Sequence, residues 1–332
     1  MVLLITGSTG FVGRNLLLRV TQDPRWRQIV LPVRDPAKLR AQLAGEGIVE
    51  DERVLICQVT GDSWELPNGV RPDLVIHAAG LLFGRRKEDY HRTNVDGSIR
   101  LAEQLPRTAR MIALSSLAAG GPTPEDAEAR GTHHVDRPVS LYGSSKLTME
   151  GELRHRLGSR LLILRPPMVL GPRDTATLPL FKMAAGAIRI KPGFTAKHYS
   201  WVDVGELCEA LTLLAASDSR EWEDQGPFYL GSEQLITDTE LIATAASVIG
   251  GRGVTLSAPQ AAIQLASLVI DSVPSWRAAA PSLGRDRVRE ILPGRWVSDG
   301  RPFAEQFGWR PTKHLRQTLG ETAEWLRQQG KI

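Results

Sequence analysis

The sequence predicts an α/β protein: a doubly wound parallel sheet with a smaller, mainly helical C-terminal region. Three observations lead there. Short apolar runs without polar alternation recur through the first half, helix-like segments separate them, and the rhythm changes after Pro166. Unbroken apolar runs of this length mark strands buried on both faces, as in a parallel sheet covered by helices; a strand with one wet face would alternate.

The strands read in order as VLLI at 2–5, IVLPV at 29–33, VLICQV at 54–59, DLVIHA at 73–78, RMIALS at 110–115 and LLILR at 161–165. Helix-like segments at 12–21, 36–44, 90–105 and 142–157 alternate with them, which is the pattern of a doubly wound fold. Residues 166–198 are rich in Pro and Gly, 202–216 read as a helix, and PFYLGS at 227–232 supplies one further strand. The tail from 233 is mainly helical and carries Trp276, Trp296, Trp309 and Trp325. Segment 260–271, QAAIQLASLVID, is apolar nearly all round yet well short of the roughly 20 residues that span a bilayer. It is expected to be a helix buried in the smaller region, with a lid or a membrane-facing helix as the other readings.

At 332 residues the chain suits two packed units, and its 42% hydrophobic and 23% charged fractions are those of a soluble globular protein. The net charge of +4 is modest and its basic residues are spread out, which argues against a nucleic-acid partner and fits an anionic small molecule. Cys57 and Cys208 both sit in apolar contexts, so neither a disulfide framework nor a thiolate metal site is expected. His133 and His134 share a polar loop with no third ligand in position, and no metal is predicted. The apolar run at residues 2–5 is too short for a signal-peptide core, which points to a cytoplasmic protein without a membrane span.

LLITGSTGFVGRNLLLRV places Gly7, Gly10 and Gly13 at three-residue intervals between a strand and a helix. The spacing differs from G-x-G-x-x-G, but the physics carries over. Gly7 permits the tight turn, Gly10 lets backbone approach a pyrophosphate, and Gly13 lets the helix lie close to the sheet. Thr9, Phe11 and Val12 complete this cofactor-binding loop, and residues 1–165 read as a Rossmann-type dinucleotide-binding domain, to which 199–232 return. Residues 166–198 and 233–332 are left as the substrate-binding region. The second strand ends LPVRDPAKL. Arg34 stands where a basic residue accommodates a 2′-phosphate, with Lys38 as a second partner, so NADP(H) is favoured; in a register shifted by one, Asp35 would instead serve a ribose 2′-hydroxyl and NAD(H).

SLYGSSKLTMEGEL sets Tyr142 and Lys146 four residues apart, on one face of a helix. With TGSTGFVG, TGD at 60–62, HAAG at 77–80, TNVDGS at 93–98, SSLAAGG at 115–121, YGSSK at 142–146, RPPMVLGP at 165–172 and SWVDVGEL at 200–207, the chain resembles an extended short-chain dehydrogenase/reductase from end to end. That superfamily includes the NAD-dependent epimerase/dehydratase family. The resemblance implies an enzyme in which Tyr142 exchanges a proton with the substrate oxygen while hydride moves to or from nicotinamide. A free tyrosine titrates near roughly 10, so it needs the positive charge that Lys146 supplies. Ser116 would orient the substrate oxygen, with Ser115 the lesser choice. The same resemblance puts Asp62 and Ser63 by the adenine, has Ala78, Ala79 and Gly80 line the cofactor, ties adjacent strands through Asn94, and passes Pro167, Met168 and Val169 under the nicotinamide. It also implies a homodimer through the helices at 90–105 and 142–157.

Sugar-nucleotide enzymes of this family usually carry an arginine before the helix entry that here reads TAKHYSWVDVGEL, with Tyr199 and Ser200 in its place and Lys197 and His198 as possible substitutes. Together with VRDPAKL and the tail from Gly294, this departure is similar to the branch of 3β-hydroxysteroid dehydrogenases and dihydroflavonol reductases. The function expected is therefore NADP(H)-dependent hydride transfer with a hydrophobic ketone or secondary alcohol as the small-molecule substrate. The alternatives are a sugar-nucleotide epimerase or dehydratase, and a non-catalytic NADP(H) sensor or scaffold.

Overall fold

The structure, a computed structural model, describes the chain except residues 47–50, 61–63, 65, 218–221, 223–225, 232–233, 274 and 277–282. In chain order its elements are β1 (Val2–Thr6), α1 (Phe11–Val20), β2 (Gln28–Val33), α2 (Pro36–Gly45), β3 (Val54–Gln58), β4 (Leu74–His77), α3 (Lys87–Tyr90), a π-helical stretch His91–Asp96, α4 (Gly97–Gln104), β5 (Arg110–Leu114), α5 (Leu117–Gly120), α6 (Leu141–Leu157), β6 (Leu161–Arg165) and β7 (Met168–Leu170). There follow α7 (Leu178–Ala185), β8 (Ile188–Pro192), β9 (His198–Tyr199), β10 (Trp201–Asp203), α8 (Val204–Ala216), β11 (Phe228–Tyr229), β12 (Ile236–Thr237), α9 (Asp238–Ile249), β13 (Val254–Ala258), α10 (Gln260–Ser272), α11 (Arg285–Ile291), β14 (Arg295–Trp296), α12 (Arg301–Phe307) and α13 (Leu315–Gln328).

Two compact units share the chain. The first comprises Met1–Ser116, Ser145–Arg165 and Gly205–Phe228, and the second Leu117–Ser144, Pro166–Val204 and Tyr229–Ile332. Residues 117–144, read on sequence with the nucleotide-binding region, thus cluster with the second unit. The main sheet runs β3-β2-β1-β4-β5-β6-β11. β1 pairs parallel with both β2 and β4, and β2–β3, β4–β5 and β5–β6 are parallel as well. The six predicted strands are all present, β1, β2, β4 and β6 almost wholly buried and the edge strand β3 only half-buried, and this is the doubly wound Rossmann α/β fold. Strand order reverses between β1 and β4. The crevice beyond their carboxyl ends is where such a sheet binds its ligand.

Leu4, Val30, Val75, Met111 and Ile163 of the sheet pack with Leu101, Met149 and Leu153 of α4 and α6 in one buried cluster. Each side chain of this size removed from water contributes about 1.5–3 kcal/mol before entropy is counted. In the second unit, Phe181, Ala184, Trp201, Ala245, Leu319, Ala323 and Leu326 form a separate core from α7, β10, α9 and α13.

Two sequence expectations are corrected here. The helix expected at 202–216 starts at Val204, because Trp201–Asp203 pair as a strand with Met168–Leu170. The Pro- and Gly-rich stretch 166–198, for which the sequence predicts no element, holds α7 and the strand β8, whose partner β13 lies more than sixty residues on, so no local pattern announces it. Segment 260–271 forms a helix as expected but is not a core helix: Ser267 is its only buried residue, and Leu265, Leu268 and Val269 are exposed. Among the described residues no helix is long and apolar enough to cross a membrane.

Candidate functional site

In the first unit the glycine loop turns tightly out of β1. Gly7 has φ +74, and a Cβ there would lie 2.7 Å from the backbone of Ala78 and Ala79, so the loop after β1 is laid directly on the loop after β4. A Cβ on Gly13 would fall 2.7 Å from the Gly7 carbonyl carbon, which fixes α1 against its own entry turn. Gly10 donates from its amide to the Gly7 carbonyl at 2.8 Å and occupies the N-cap of α1 with no side-chain cap and no acidic residue in the first turn. The helix therefore opens with uncapped amides and the positive end of its dipole, an anion-binding end by construction. Ser8 Oγ in the same loop is buried with no hydrogen-bond partner among the described residues. These features fit the pyrophosphate of a dinucleotide, with Thr9, Phe11 and Val12 half-buried around the turn.

At the end of β2, Arg34 and Lys38 are both exposed. The Asp35 carboxylate accepts from the Lys38 backbone amide at 2.9 Å and caps α2, with Pro36 in the first turn. Asp62 and Ser63 lie outside the described residues.

A buried chain of polar groups links the strand ends. Ala79 N–H donates to Thr6 Oγ1 at 3.1 Å, leaving the Thr6 hydroxyl proton for His77 Nδ1 at 2.7 Å. Ser98 Oγ donates to the Asn94 carbonyl at 2.7 Å, so it receives His77 Nε2–H, also at 2.7 Å. The network admits one tautomer, neutral and protonated on Nε2. Burial, and then the nearby Lys146 charge, press the His77 pKa down to about 3. Asn94 accepts from Leu81 N at 2.7 Å and donates to Leu81 O at 3.1 Å and Ser145 Oγ at 2.9 Å. It is a tie, as the resemblance implied, but it joins the loop after β4 to α6 rather than two strands.

Lys146 is buried near Gly80, whose added Cβ would lie 3.8 Å from Nζ and 3.5 Å from Asn94 Oδ1. Its ammonium donates to the Leu114 carbonyl at 2.7 Å, and burial lowers its pKa to about 8 against the opposing pull of Glu150. One turn on, Glu150 holds Arg165 through a bidentate pair, Nε–Oε1 at 2.8 Å and Nη2–Oε2 at 2.6 Å, and receives the Ser115 hydroxyl. Of the two serines, Ser115 is thus buried and committed to Glu150, while Ser116 is half-buried at the end of the β5 loop.

In the second unit, Tyr142 belongs to a cluster with Leu117, Ala118, Val139, Tyr199, Tyr229 and Trp296. The start of α6 is held from α11. The Asp286 carboxylate accepts from Leu141 N at 2.6 Å, Ser140 Oγ accepts from Gly143 N at 2.9 Å and donates to Glu290 at 2.5 Å, and the Arg287 guanidinium lies 6.0 Å from the Tyr142 ring centre. A Cβ on Gly143 would strike the Ala118 carbonyl oxygen, so the glycine is what lets α6 approach the α5 backbone this closely. Pro167 is buried, and Met168 and Val169 lie half-buried in β7, in register with Trp201 and Val202. Lys197 is buried and its Nζ donates to the Ile291 carbonyl.

Sequence reasoning missed His77, Thr6 and Ser98, and the α11 residues Asp286, Arg287 and Glu290. A histidine closing an otherwise apolar strand was the available signal for the first. Nothing local marks the α11 residues, which lie about 145 residues from the helix they hold.

A model of the NAD dependent epimerase/dehydratase family matches residues 3–225, and the chain belongs to that family. It is 30% identical over 345 aligned positions to a ceramide reductase of Caulobacter vibrioides, covering 99% of this chain and 95% of that protein. With a UDP-glucose 4-epimerase of Vibrio cholerae it shares 23% identity over 337 positions, 97% of this chain and 94% of the other. The solved UDP-glucuronic acid 4-epimerase of Bacillus cereus, in complex with UDP-glucuronic acid and NAD, aligns with a TM-score of 0.73 at 16% identity, over 99% of this chain and all of that one, and so shares its fold. The protein is an NAD(P)-dependent enzyme of the extended short-chain dehydrogenase/reductase type.

Proposed function

We propose that the protein is an NADP(H)-dependent oxidoreductase acting on a hydrophobic ketone or secondary alcohol, with Tyr142 as acid/base. The observation that carries this reading is the setting of Tyr142 among Leu117, Ala118, Val139, Tyr199, Tyr229 and Trp296, a wall suited to an apolar substrate. Likeness to a ceramide reductase, whose named substrate is a lipid, points the same way. Of the two side chains that could have stood in for the diphosphate-binding arginine, His198 is exposed and Lys197 is buried and spends its ammonium on the Ile291 carbonyl. That weighs against a nucleotide sugar.

NADP(H), when bound, supplies or accepts the hydride. Tyr142 gives its phenolic proton to the substrate oxygen in reduction and recovers it in oxidation, Ser116 donates a hydrogen bond to the same oxygen, and the Lys146 charge favours the tyrosinate. Gly7, Thr9, Gly10, Phe11, Val12 and Gly13 cradle the pyrophosphate. Arg34 and Lys38 take the 2′-phosphate, since Asp35 is already engaged as a helix cap. On this reading the first unit holds the cofactor, residues 166–198 and 233–332 select the substrate, and the molecule is a homodimer.

A sugar-nucleotide epimerase is the second reading, favoured by likeness to the Vibrio cholerae enzyme. Fluorescence titration of NADPH and NADH against wild type and Arg34→Ala tests the cofactor, and turnover on hydrophobic ketones beside UDP-sugars tests the substrate. Tighter NADPH binding that the substitution removes, with NADPH consumed by ketones, supports the proposal. Equal or tighter NADH binding, or UDP-sugar turnover without net NAD(P)H change, overturns it.

A further inference from the structure

Strand β8 carries its hydrophobic pattern inside out. Ile188 and Ile190 are exposed, while Arg189 and Lys191 between them are buried, Arg189 donating to the Ala184 and Gly253 carbonyls and Lys191 to the Gly193 and Thr195 carbonyls. The parallel register sets Ile188 beside Val254 and Ile190 beside Leu256, and those two are exposed as well. β13 runs through Pro259 into α10, and the Gly193 amide donates to the Ala258 carbonyl at 2.8 Å, which holds the following Phe194, 73% exposed, next to the start of that helix. On α10 the side turned inward carries Ile263, Ser267 and Ile270, and the side turned outward carries Leu265, Leu268 and Val269. Ribbon and helix, joined through Pro259, thus each leave apolar side chains exposed. Isolated exposed apolar residues are ordinary, but a clustered face with an aromatic at its edge marks an interaction surface.

Its charge says what kind. Residues 175–202 contain no acidic residue. Among the described residues of 241–295, every exposed charged side chain is an arginine: Arg252, Arg285, Arg289 and Arg295. The carboxylates of that stretch are turned to internal partners, Asp271 accepting from Arg285 N, Asp286 from Leu141 N, and Glu290 from Ser140. Arg252 stands two residues before β13 and Arg285 donates its amide to Asp271 of α10, so the exposed charges at the two ends of this apolar segment are cationic and complement an anionic lipid surface, whereas a second copy of the same segment would set arginines against arginines. We propose that β8, β13 and α10 seat this unit on an anionic bilayer, so that an apolar substrate is taken from the membrane rather than from water. The last clause rests on the proposed substrate class; the docking itself does not.

The test is sedimentation of the full chain with vesicles of phosphatidylcholine, with or without phosphatidylglycerol. Wild type is expected to partition onto the anionic vesicles at least about tenfold better than onto neutral ones, and to be released by salt. Ile190→Asp with Leu256→Asp, and separately Leu265→Glu with Val269→Glu, should each cut that binding about tenfold with unchanged thermal midpoints, because all four side chains are already in water. Wild type left in the supernatant, or variants that sediment like wild type, would overturn the proposal. So would a dimer in analytical ultracentrifugation that the same variants dissociate without any vesicle binding. NADPH-linked ketone reduction in detergent reads the proposed activity separately, so either proposal can fail alone.

Discussion

The ammonium of Lys146 stands 2.7 Å from the carbonyl oxygen of Leu114, the residue that closes β5 two positions before Ser116. A buried cation is thereby fastened to the backbone that delivers the serine, with the Met149 sulfur 3.4 Å away as a second contact. Removing it should lower turnover by about 10²–10⁴-fold, the usual range for losing support of a general acid.

The same lysine has a pH signature. Its folded pKa of about 8 lies below the ordinary lysine value of 10.5, so the unfolded chain binds more protons between those limits. Burial of the charge weighs fully against folding below about pH 8 and is relieved as pH rises toward 10.5. The stability of wild type relative to Lys146→Met should therefore climb by about 3 kcal/mol across that window in urea titrations. A flat difference would mean that the ammonium is better solvated than its burial indicates.

For His77 the window is acidic. Its folded pKa of about 3 lies below the ordinary histidine value of 6.5, so its contribution is complete above about pH 6.5 and is lost as pH falls toward 3. Wild type should lose on the order of 4 kcal/mol more than His77→Gln over that interval. Parallel acid unfolding curves for the two proteins would refute the neutral Nε2 tautomer.

Glu150 and Arg165 should behave as a unit. Glu150→Ala strands a buried guanidinium and should cost about 3–5 kcal/mol, whereas the double change Glu150→Leu with Arg165→Met should recover most of it. A double change as damaging as the single one would show that the pair is needed for more than charge balance.

Gly13 and Gly80 separate packing from cofactor contact. Gly13→Ala drives a methyl into the Gly7 carbonyl and should destabilise the apoprotein by about 1–3 kcal/mol. At Gly80 the new methyl meets only Asn94 Oδ1 and Lys146 Nζ at ordinary distance, so Gly80→Ala should change apo stability by less than about 0.5 kcal/mol. A clear loss of NADPH affinity in that stable variant is the expected mark of a residue that lines the cofactor. Unchanged affinity would remove Gly80 from the site.

What the sequence could show divides by range. The strands of the main sheet are apolar runs flanked by turn residues, so β1, β2, β4 and β6 were legible within a residue or two at their ends. Gly7, Gly13 and the Tyr142–Lys146 spacing were legible because each is a local requirement of backbone or helix geometry. The α11 clasp on α6 and the β8–β13 ladder were not, since Asp286 meets Leu141 and Ile188 meets Val254 across long intervals with no local mark on either partner. α10 was misread for a related reason: an apolar segment looks the same whether its face is covered or bare, and only the tertiary arrangement decides.

Strand β8 also shows one physical preference overruling another. A slip by one residue would turn Ile188 and Ile190 inward and Arg189 and Lys191 out, the arrangement that hydropathy alone would choose. In the observed register the two cations donate to four backbone carbonyls, and Lys191 also pairs with the buried Asp238 at 3.3 Å. A redesign that restored the ordinary alternation, with polar residues at 188 and 190 and aliphatic ones at 189 and 191, would improve the strand on paper and take away the donors on which the loops at Ala184, Gly193, Thr195 and Gly253 are hung.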